Sequence, residues 1–195
     1  MPATYPIFVN LTGLRIVVVG GGQVAARKVA VMLEHGATRI RLISPERHPD
    51  MPSRIEFIQA RYEPGLLGSP QLVIAATNDA VLNRQIAADA RKLGAMVNLV
   101  DGESSGQSDF LTASIVERGN IRVAVNSSGV PGLSKLMCEL LEGWLEPEWA
   151  AFSERLRERR ERMKAAANVD LAEAMRKLTT RDAFERFKRT GEIES

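Results

Sequence analysis

Three consecutive glycines, Gly20, Gly21 and Gly22, follow the β-branched run Ile16-Val17-Val18-Val19. They precede a helical pattern carried by Val24, Ala25, Val29 and Met32 as far as Gly36. The turn reads Gly20-x-Gly22-x-x-Ala25. Strand, glycine turn and helix in that order make a phosphate cradle. Gly20 permits the tight turn, Gly22 lets backbone approach a pyrophosphate, and Ala25 is small enough for helix and strand to pack closely. The helix start, at Gln23 and Val24, turns free N–H groups and the positive end of the helix dipole toward the phosphates. The other reading of the same string is a tight strand–helix turn that holds no ligand.

Two acids extend this chemistry. Glu46 lies about twenty residues beyond the glycines, where an acid meets the hydroxyls of an adenosine ribose. Arg47 beside it suits a 2′-phosphate instead, and the acid favours NAD over NADP. Asp101 is delivered by the end of an apolar run from Met96 to Val100. Hydride transfer needs a base for the accompanying proton, and Asp101 is the candidate. Its competing role is an Asx turn closed on the Gly102 amide.

The elements that must position these groups are legible as hydrophobic periods. Strands are expected at residues 16–19, 39–43, 55–58, 72–76 and 96–100. Between the fourth and fifth, Thr77-Asn78-Asp79 offers N-cap chemistry to a helix carrying Leu82, Ile86 and Ala90 and stopping at Gly94. Glu63-Pro64-Gly65 reads as a turn. Strands alternating with helices imply a parallel, doubly wound sheet, whose ligands bind beyond the C-terminal strand edges. The residues on that edge give the expected cofactor set: Gly20, Gly22, Gln23, Val24, Ser44, Pro45, Glu46, Thr77 and Asn78.

The pattern then changes. Residues 102–109 form a polar, serine-rich loop. Phe110–Val116 and Ile121–Val125 flank Glu117-Arg118-Gly119-Asn120 as a β-hairpin. A glycine/serine loop over 126–132 opens a helix with Leu133, Leu136, Met137, Leu140, Leu141 and Trp144 on or near one face. Glu146-Pro147 breaks it. From Glu148 onward the chain is helical and charged, with arginines outnumbering glutamates; Thr180 caps a last short helix with Phe184 and Phe187 inward. The charged stretch is either a solvated face supported by pairs such as Glu158–Arg162 or a contact surface for a polyanion.

Bulk properties narrow the class. The 195 residues are 45% hydrophobic and 26% charged, ordinary for a soluble globular protein with a sizeable core. A net charge of +2 argues against a dedicated nucleic-acid binder. The one cysteine, Cys138, excludes an internal disulfide, fits a reducing cytoplasm, and lies on an apolar helical face as a core thiol. The start, MPATYPIFVNL, lacks the pattern of a signal peptide, and no apolar run is long enough to span a membrane. No metal site is expected: the two histidines, His35 near a helix end and His48 in a proline-bounded loop, are read as capping or solvated. No C-x-x-C, H-E-x-x-H or P-loop string occurs.

Four stretches together resemble the precorrin-2 dehydrogenase family, the N-terminal part of siroheme synthase: Tyr5–Leu11, Val18–Lys28, Val73–Asp79 and Val97–Asp101. A fifth, Ala113–Gly119, resembles that family's hairpin. The resemblance implies NAD as cofactor, precorrin-2 as substrate and sirohydrochlorin as product. In some members ferrous iron is inserted as well. It also implies Asp101 as the functional acid and a homodimer built on the hairpin and following helix. Asn98, Ser127 and Ser128 are then expected to border the tetrapyrrole. Two loops depart from the family pattern, 102–108 and the stretch in which Gly129 is followed by Val130-Pro131-Gly132. The expected architecture is α/β: a Rossmann-like doubly wound sheet over 1–113, a β-hairpin/helix dimerisation segment over 114–146 and a small helical domain over 147–195. The rival functions are a non-catalytic NAD-sensing module, which leaves the hairpin and Asp101 unexplained, and a metal chelatase acting on sirohydrochlorin.

Overall fold

The computed structural model describes residues 4–100, 107–127, 129–165 and 170–193. It divides into two compact units, Met1–Thr112 and Ala113–Ser195.

The first unit is a five-stranded parallel sheet in the order β3-β2-β1-β4-β5. The strands are β1 (Arg15–Val19), β2 (Arg39–Ser44), β3 (Glu56–Gln59), β4 (Leu72–Ala75) and β5 (Met96–Leu99). Helix α1 (Gln23–Glu34) links β1 to β2, and α2 (Ala80–Lys92) links β4 to β5. The two helices cover opposite faces, which is why the central strands β1 and β4 carry the unbroken apolar runs Ile16–Val19 and Leu72–Ala75. Ile16, Val18, Leu42 and Ile74 pack with Ala25, Ala26 and Val29 of α1. Val17, Val19, Ile43, Val73 and Val97 pack with Ile86, Ala87 and Ala90 of α2. No helix joins β2 to β3, and only a 3-10 turn over Pro64–Leu67 precedes β4. Pro45, Pro49, Pro52, Pro64 and Pro70 crowd those connections, and each removes a donor that a helix interior needs. The simple turn expected at Glu63-Pro64-Gly65 is therefore the start of that 3-10 turn.

Helix ends follow their local chemistry. Asp79 caps α2, its Oδ1 accepting from the N–H groups of Val81 and Leu82. Gly36 and Gly94 take φ of +88° and +76° just past α1 and α2, where a side chain would be strained. His35 is the C-cap residue of α1, with its ring Nδ1 2.8 Å from the Val31 carbonyl oxygen.

Lys28 on α1 donates to Thr112 Oγ1 at 2.7 Å. Burial, and secondarily the charge of Arg27, lowers its pKa to about 8. In the unfolded chain the amine titrates near its ordinary value, so between these two pKa values the unfolded state binds more protons. Stability therefore rises with pH across that window, and below it the buried charge costs in full. Lys28→Met is expected to flatten this rise and to raise stability at pH 7 by about 1 kcal/mol, or roughly 2–4 °C in Tm, after allowance for partial exposure. Thermal melts of both proteins at pH 7 and pH 9.5 check it.

The second unit starts with an antiparallel hairpin, β6 (Ser114–Arg118) and β7 (Ile121–Val125), followed by α3 (Pro131–Trp144), α4 (Glu148–Ala165), α5 (Leu171–Leu178) and α6 (Arg181–Thr190). The first hairpin strand begins at Ser114 and not at Phe110, because the Phe110 carbonyl accepts from Asn98 Nδ2 at 3.0 Å in the first unit. Val116, Val125, Cys138 and Leu145 form one small core, and Phe152, Ala183, Phe184 and Phe187 another, with Trp149 against both. Trp149 stacks on Phe184 at a centroid distance of 3.7 Å. Thr180 Oγ1 accepts from Ala183 N at 3.1 Å, which starts α6. Along α4 ion pairs at i,i+3 join Glu158 to Arg155, not to Arg162, and Glu161 to Lys164, while Arg160 pairs with the adjacent Glu161. Among the described residues no helix is long and apolar enough to cross a membrane.

Candidate functional site

The C-terminal edges of β1, β2 and β4 open onto one cleft of ≈ 800 Å³. Its floor is the glycine turn. Gly20 has φ +106° and donates its N–H to the Ile43 carbonyl at 3.0 Å, tying the exit of β1 to β2. A Cβ on Gly20 would collide with the Ala76 carbonyl, and one on Gly21 with the Glu46 carbonyl. His48 N donates to Gly21 O at 2.7 Å, fastening the turn to the loop beyond β2. Gly22 differs. Its φ of −77° suits any residue, and among the described residues a Cβ there meets no atom within 4 Å beyond its own chain neighbours. Packing thus requires the first two glycines, while among the described residues no neighbouring atom requires the third. What Gly22 leaves open is space at the start of α1.

That helix start carries no side-chain cap and no acid in its first turn. Its N–H groups and dipole are available to an anion, as a bound pyrophosphate requires. Gln23 and Val24 stand exposed on this first turn and would act through their backbone; the cleft wall is formed without their side chains.

Ser44, Pro45 and Glu46 wall the β2 side, and Thr77 and Asn78 the β4 side. Gln59 Nε2 donates to Pro45 O at 3.1 Å and holds that corner. The β4 corner is held by Asn83, fully buried on α2. Its Oδ1 accepts from Thr77 N at 3.1 Å and Thr77 Oγ1 at 2.7 Å, and its Nδ2 donates to Thr77 O at 3.1 Å. Nothing in the sequence reading picks out Asn83. The available signal is a polar residue on an otherwise apolar helix face, between Leu82 and Ile86. Asn83→Ala strands the half-buried Thr77 N–H and leaves a gap in the packing of α2, and is expected to cost about 1–3 kcal/mol. A denaturant titration measures that loss, and a parallel cofactor titration reads the loosening of Thr77.

The cleft also holds Arg47, His48, Arg61, Tyr62 and Leu82. Arg61-Tyr62 come shortly after β3, so the same strand-edge rule that places Glu46 would have found them. Arg47 sits over the Phe57 ring, 5.5 Å from its centroid. Tyr62 donates to Asp89 Oδ2 at 3.2 Å, and burial, then the Asp89 charge, pushes its phenol well above the usual range. His48 Nδ1 accepts from Asp50 N at 3.2 Å. Among the described residues no group of three or more metal-ligating side chains is assembled.

The remaining expected site residues lie elsewhere. Asn98 is 4% exposed and bonded to Phe110 O; its register partner Ile74 packs against α1, so the side chain braces the sheet and does not wall the cleft. Ser127 belongs to the second unit, where its hydroxyl meets Ser134 Oγ at 2.6 Å at the start of α3. Asp101 and Ser128 lie outside the described residues. The flanks of the Asp101 segment are fixed: Val100 N donates to Ala75 O at 2.9 Å, and Ser108 and Asp109 cap the free edge of β5 at Leu99 N and Val97 N. Arg91 grips Asp109 with two guanidinium nitrogens at 3.0–3.2 Å.

A parallel sheet in this order, with a glycine turn and an uncapped helix at its switch point, defines a dinucleotide-binding protein of the Rossmann type. The chain belongs to the family described as "Putative NAD(P)-binding", whose model matches residues 7–114. It is similar to the siroheme synthase of Photorhabdus laumondii, with 36% identity over 165 residues, 82% of this chain and 34% of that protein. Siroheme synthase 2 of Aeromonas hydrophila is 39% identical over 153 residues, 76% of this chain and 32% of that protein. The chain thus spans about a third of the length of these curated relatives. Among solved structures, SirC, a precorrin-2 dehydrogenase, superposes with a TM-score of 0.72 at 20% identity, covering 93% of this chain and 92% of that one, which establishes a shared fold.

Proposed function

We propose that this chain is an NAD-dependent dehydrogenase that oxidises precorrin-2 to sirohydrochlorin. The observation that carries the cofactor is Gly22, a glycine that the packing of the described residues does not need, at the uncapped start of α1. The substrate rests on the siroheme synthases at 36–39% identity and on the fold shared with SirC.

In this reading the backbone of Gly20, Gly22, Gln23 and Val24 holds the pyrophosphate. Ser44, Pro45 and Glu46 flank the adenosine ribose, with Glu46 accepting from its hydroxyls. Thr77 and Asn78, stiffened by Asn83, form the opposite wall. NAD when bound supplies the hydride acceptor. Asp101, two residues past β5 in the sequence, takes up the proton that accompanies hydride transfer. Ser127 and Ser128 border the tetrapyrrole, and Asn98 braces the sheet through the Phe110 carbonyl.

A homodimer completes the reading. Leu133, Leu136, Met137, Leu140 and Trp144 recur at helical spacing on α3 and are 42–67% exposed. The opposite face of α3 already buries Cys138. A helix apolar on both faces needs a second partner, and a second copy supplies it. Light scattering is expected to give twice the 21.4 kDa chain mass, and Leu140→Glu to halve it. A monomer at micromolar concentration overturns this.

The decisive experiment is anaerobic incubation with precorrin-2, with and without NAD. The sirohydrochlorin spectrum appearing only with NAD establishes the dehydrogenase; silence with competent substrate overturns it. Ferrous iron added afterwards, as a substrate, reads whether the chain also makes siroheme.

A further inference from the structure

The opposite pole of the first unit carries a second cleft, of ≈ 560 Å³, at the N-terminal ends of β1, β2 and β3. Four guanidinium groups line it, from Arg15, Arg39, Arg41 and Arg54. Glu56 is the acid among its lining residues. Across the whole chain 26 basic residues nearly balance 24 acidic ones, so this concentration of one sign is local.

The register makes it costly. Arg15 and Arg39 are direct partners across the β1–β2 ladder, and Arg41 follows Arg39 two residues on. Side chains at paired positions and at i,i+2 share a sheet face, so all three charges emerge on the side covered by α2. Like charges directly opposite one another destabilise a sheet.

Two of the four are already held in place. Arg15 Nε donates to Ser69 O at 2.6 Å, and Arg41 Nη1 to Leu66 O at 3.2 Å. Both acceptors are backbone carbonyls of the segment around Gly68, whose φ is +66°. A Cβ on Gly68 would come within 3.2 Å of Arg41 Nη1, so the glycine makes room for that guanidinium. Arg41 Nε also pairs with Glu56 at 3.0 Å, which neutralises one charge. Arg39 and Arg54 are exposed and, among the described residues, have no ion pair or hydrogen bond. Two oriented forks and two free ones around a concavity make a receptor for a compact anion of high charge.

We propose that this cleft is a second ligand site, separate from the dinucleotide cleft, that binds a small anion carrying three or more negative charges. Such charge comes from linked phosphoryl groups or from a tricarboxylate. Binding would remove the repulsion between Arg15 and Arg39, so the occupied protein is the more stable one.

Calorimetry and thermal melts with inorganic pyrophosphate and with citrate test it, on the wild type, on Gly22→Val and on Arg39→Gln/Arg54→Gln. The glycine variant blocks the dinucleotide cleft, where pyrophosphate would otherwise bind as a fragment. We expect Tm to rise with the anion in the wild type and in Gly22→Val. The double arginine variant should bind at least about tenfold more weakly while retaining its NAD affinity. Affinity should also fall as sodium chloride is raised. Tighter pyrophosphate assigns the site to phosphoryl ligands, and tighter citrate to polycarboxylates; either supports the site. Neither anion binding the wild type, or binding lost in Gly22→Val but kept in Arg39→Gln/Arg54→Gln, overturns it.

Discussion

Replacing Gly22 by valine is expected to give a folded protein that no longer binds NAD. The backbone there is extended, φ −77° and ψ −179°, a conformation valine adopts readily. Among the described residues no atom beyond the adjoining residues lies within 4 Å of the added Cβ, so the packing around it stands. The cost to stability is that of a poorer N-cap residue, about 1 kcal/mol. The added side chain nonetheless occupies the approach of a pyrophosphate to the first turn of α1. Affinity should fall by two orders of magnitude or more, about 3 kcal/mol. Gly20→Ala is the contrasting control. At φ +106° and against the Ala76 carbonyl, it disrupts the junction of β1 with β4 and should lose the fold itself. Calorimetry on the two variants separates a ligand-required glycine from a fold-required one. Unchanged NAD affinity in folded Gly22→Val refutes the placement of the pyrophosphate.

Asp101→Asn is expected to slow dehydrogenation by about 10²–10⁴-fold while NAD affinity stays near wild type. The substitution keeps the shape and hydrogen-bonding reach of the side chain and removes only the base. If Asp101 does no more than close an Asx turn, asparagine serves equally well and the rate stays put. The measurement is single-turnover oxidation of precorrin-2 with saturating NAD, beside an NAD titration. A wild-type rate removes the catalytic assignment and leaves fold and cofactor intact. Loss of NAD affinity together with activity would make Asp101 a residue that shapes the cofactor site. The result also separates an enzyme from an NAD sensor, in which no proton is transferred.

Local chemistry made much of the first unit legible. Each strand is built on a short stretch of apolar residues, unbroken in Ile16–Val19 and Leu72–Ala75 and interrupted by Arg41 in β2 and Asn98 in β5, and each helix is a period closed by a glycine, so β1, α1, β2, α2 and β5 needed no long-range information. Thr180 capping α6 with Phe184 and Phe187 buried is of the same kind. Where a local rule competes with a distant partner, the distant partner decides. The apolar stretch from Phe110 suggested a strand, yet Asn98 had already engaged the Phe110 carbonyl. Glu158 is flanked by arginines at i−3 and i+4, and spacing alone does not choose between them; the structure pairs it with Arg155.

Neighbouring residues alone specify the phosphate-cradling corner and the edge of the sheet on which ligands gather. The glycine turn, its strand and its helix are contiguous, and parallel strands joined by helices all point their C-terminal ends one way. Which glycine is free for a ligand depends on the packed fold, because the neighbours of Gly20 and Gly21 are Ala76 and Glu46, far along the chain. The packed fold alone turned Asn98 inward and set Asn83 behind Thr77. It alone brought Arg15, Arg39, Arg41 and Arg54 around one cleft. Charges at such separations look like scattered solvated residues until β1 lies beside β2 in register, and that register is fixed by burial of the apolar strands, not by the arginines themselves.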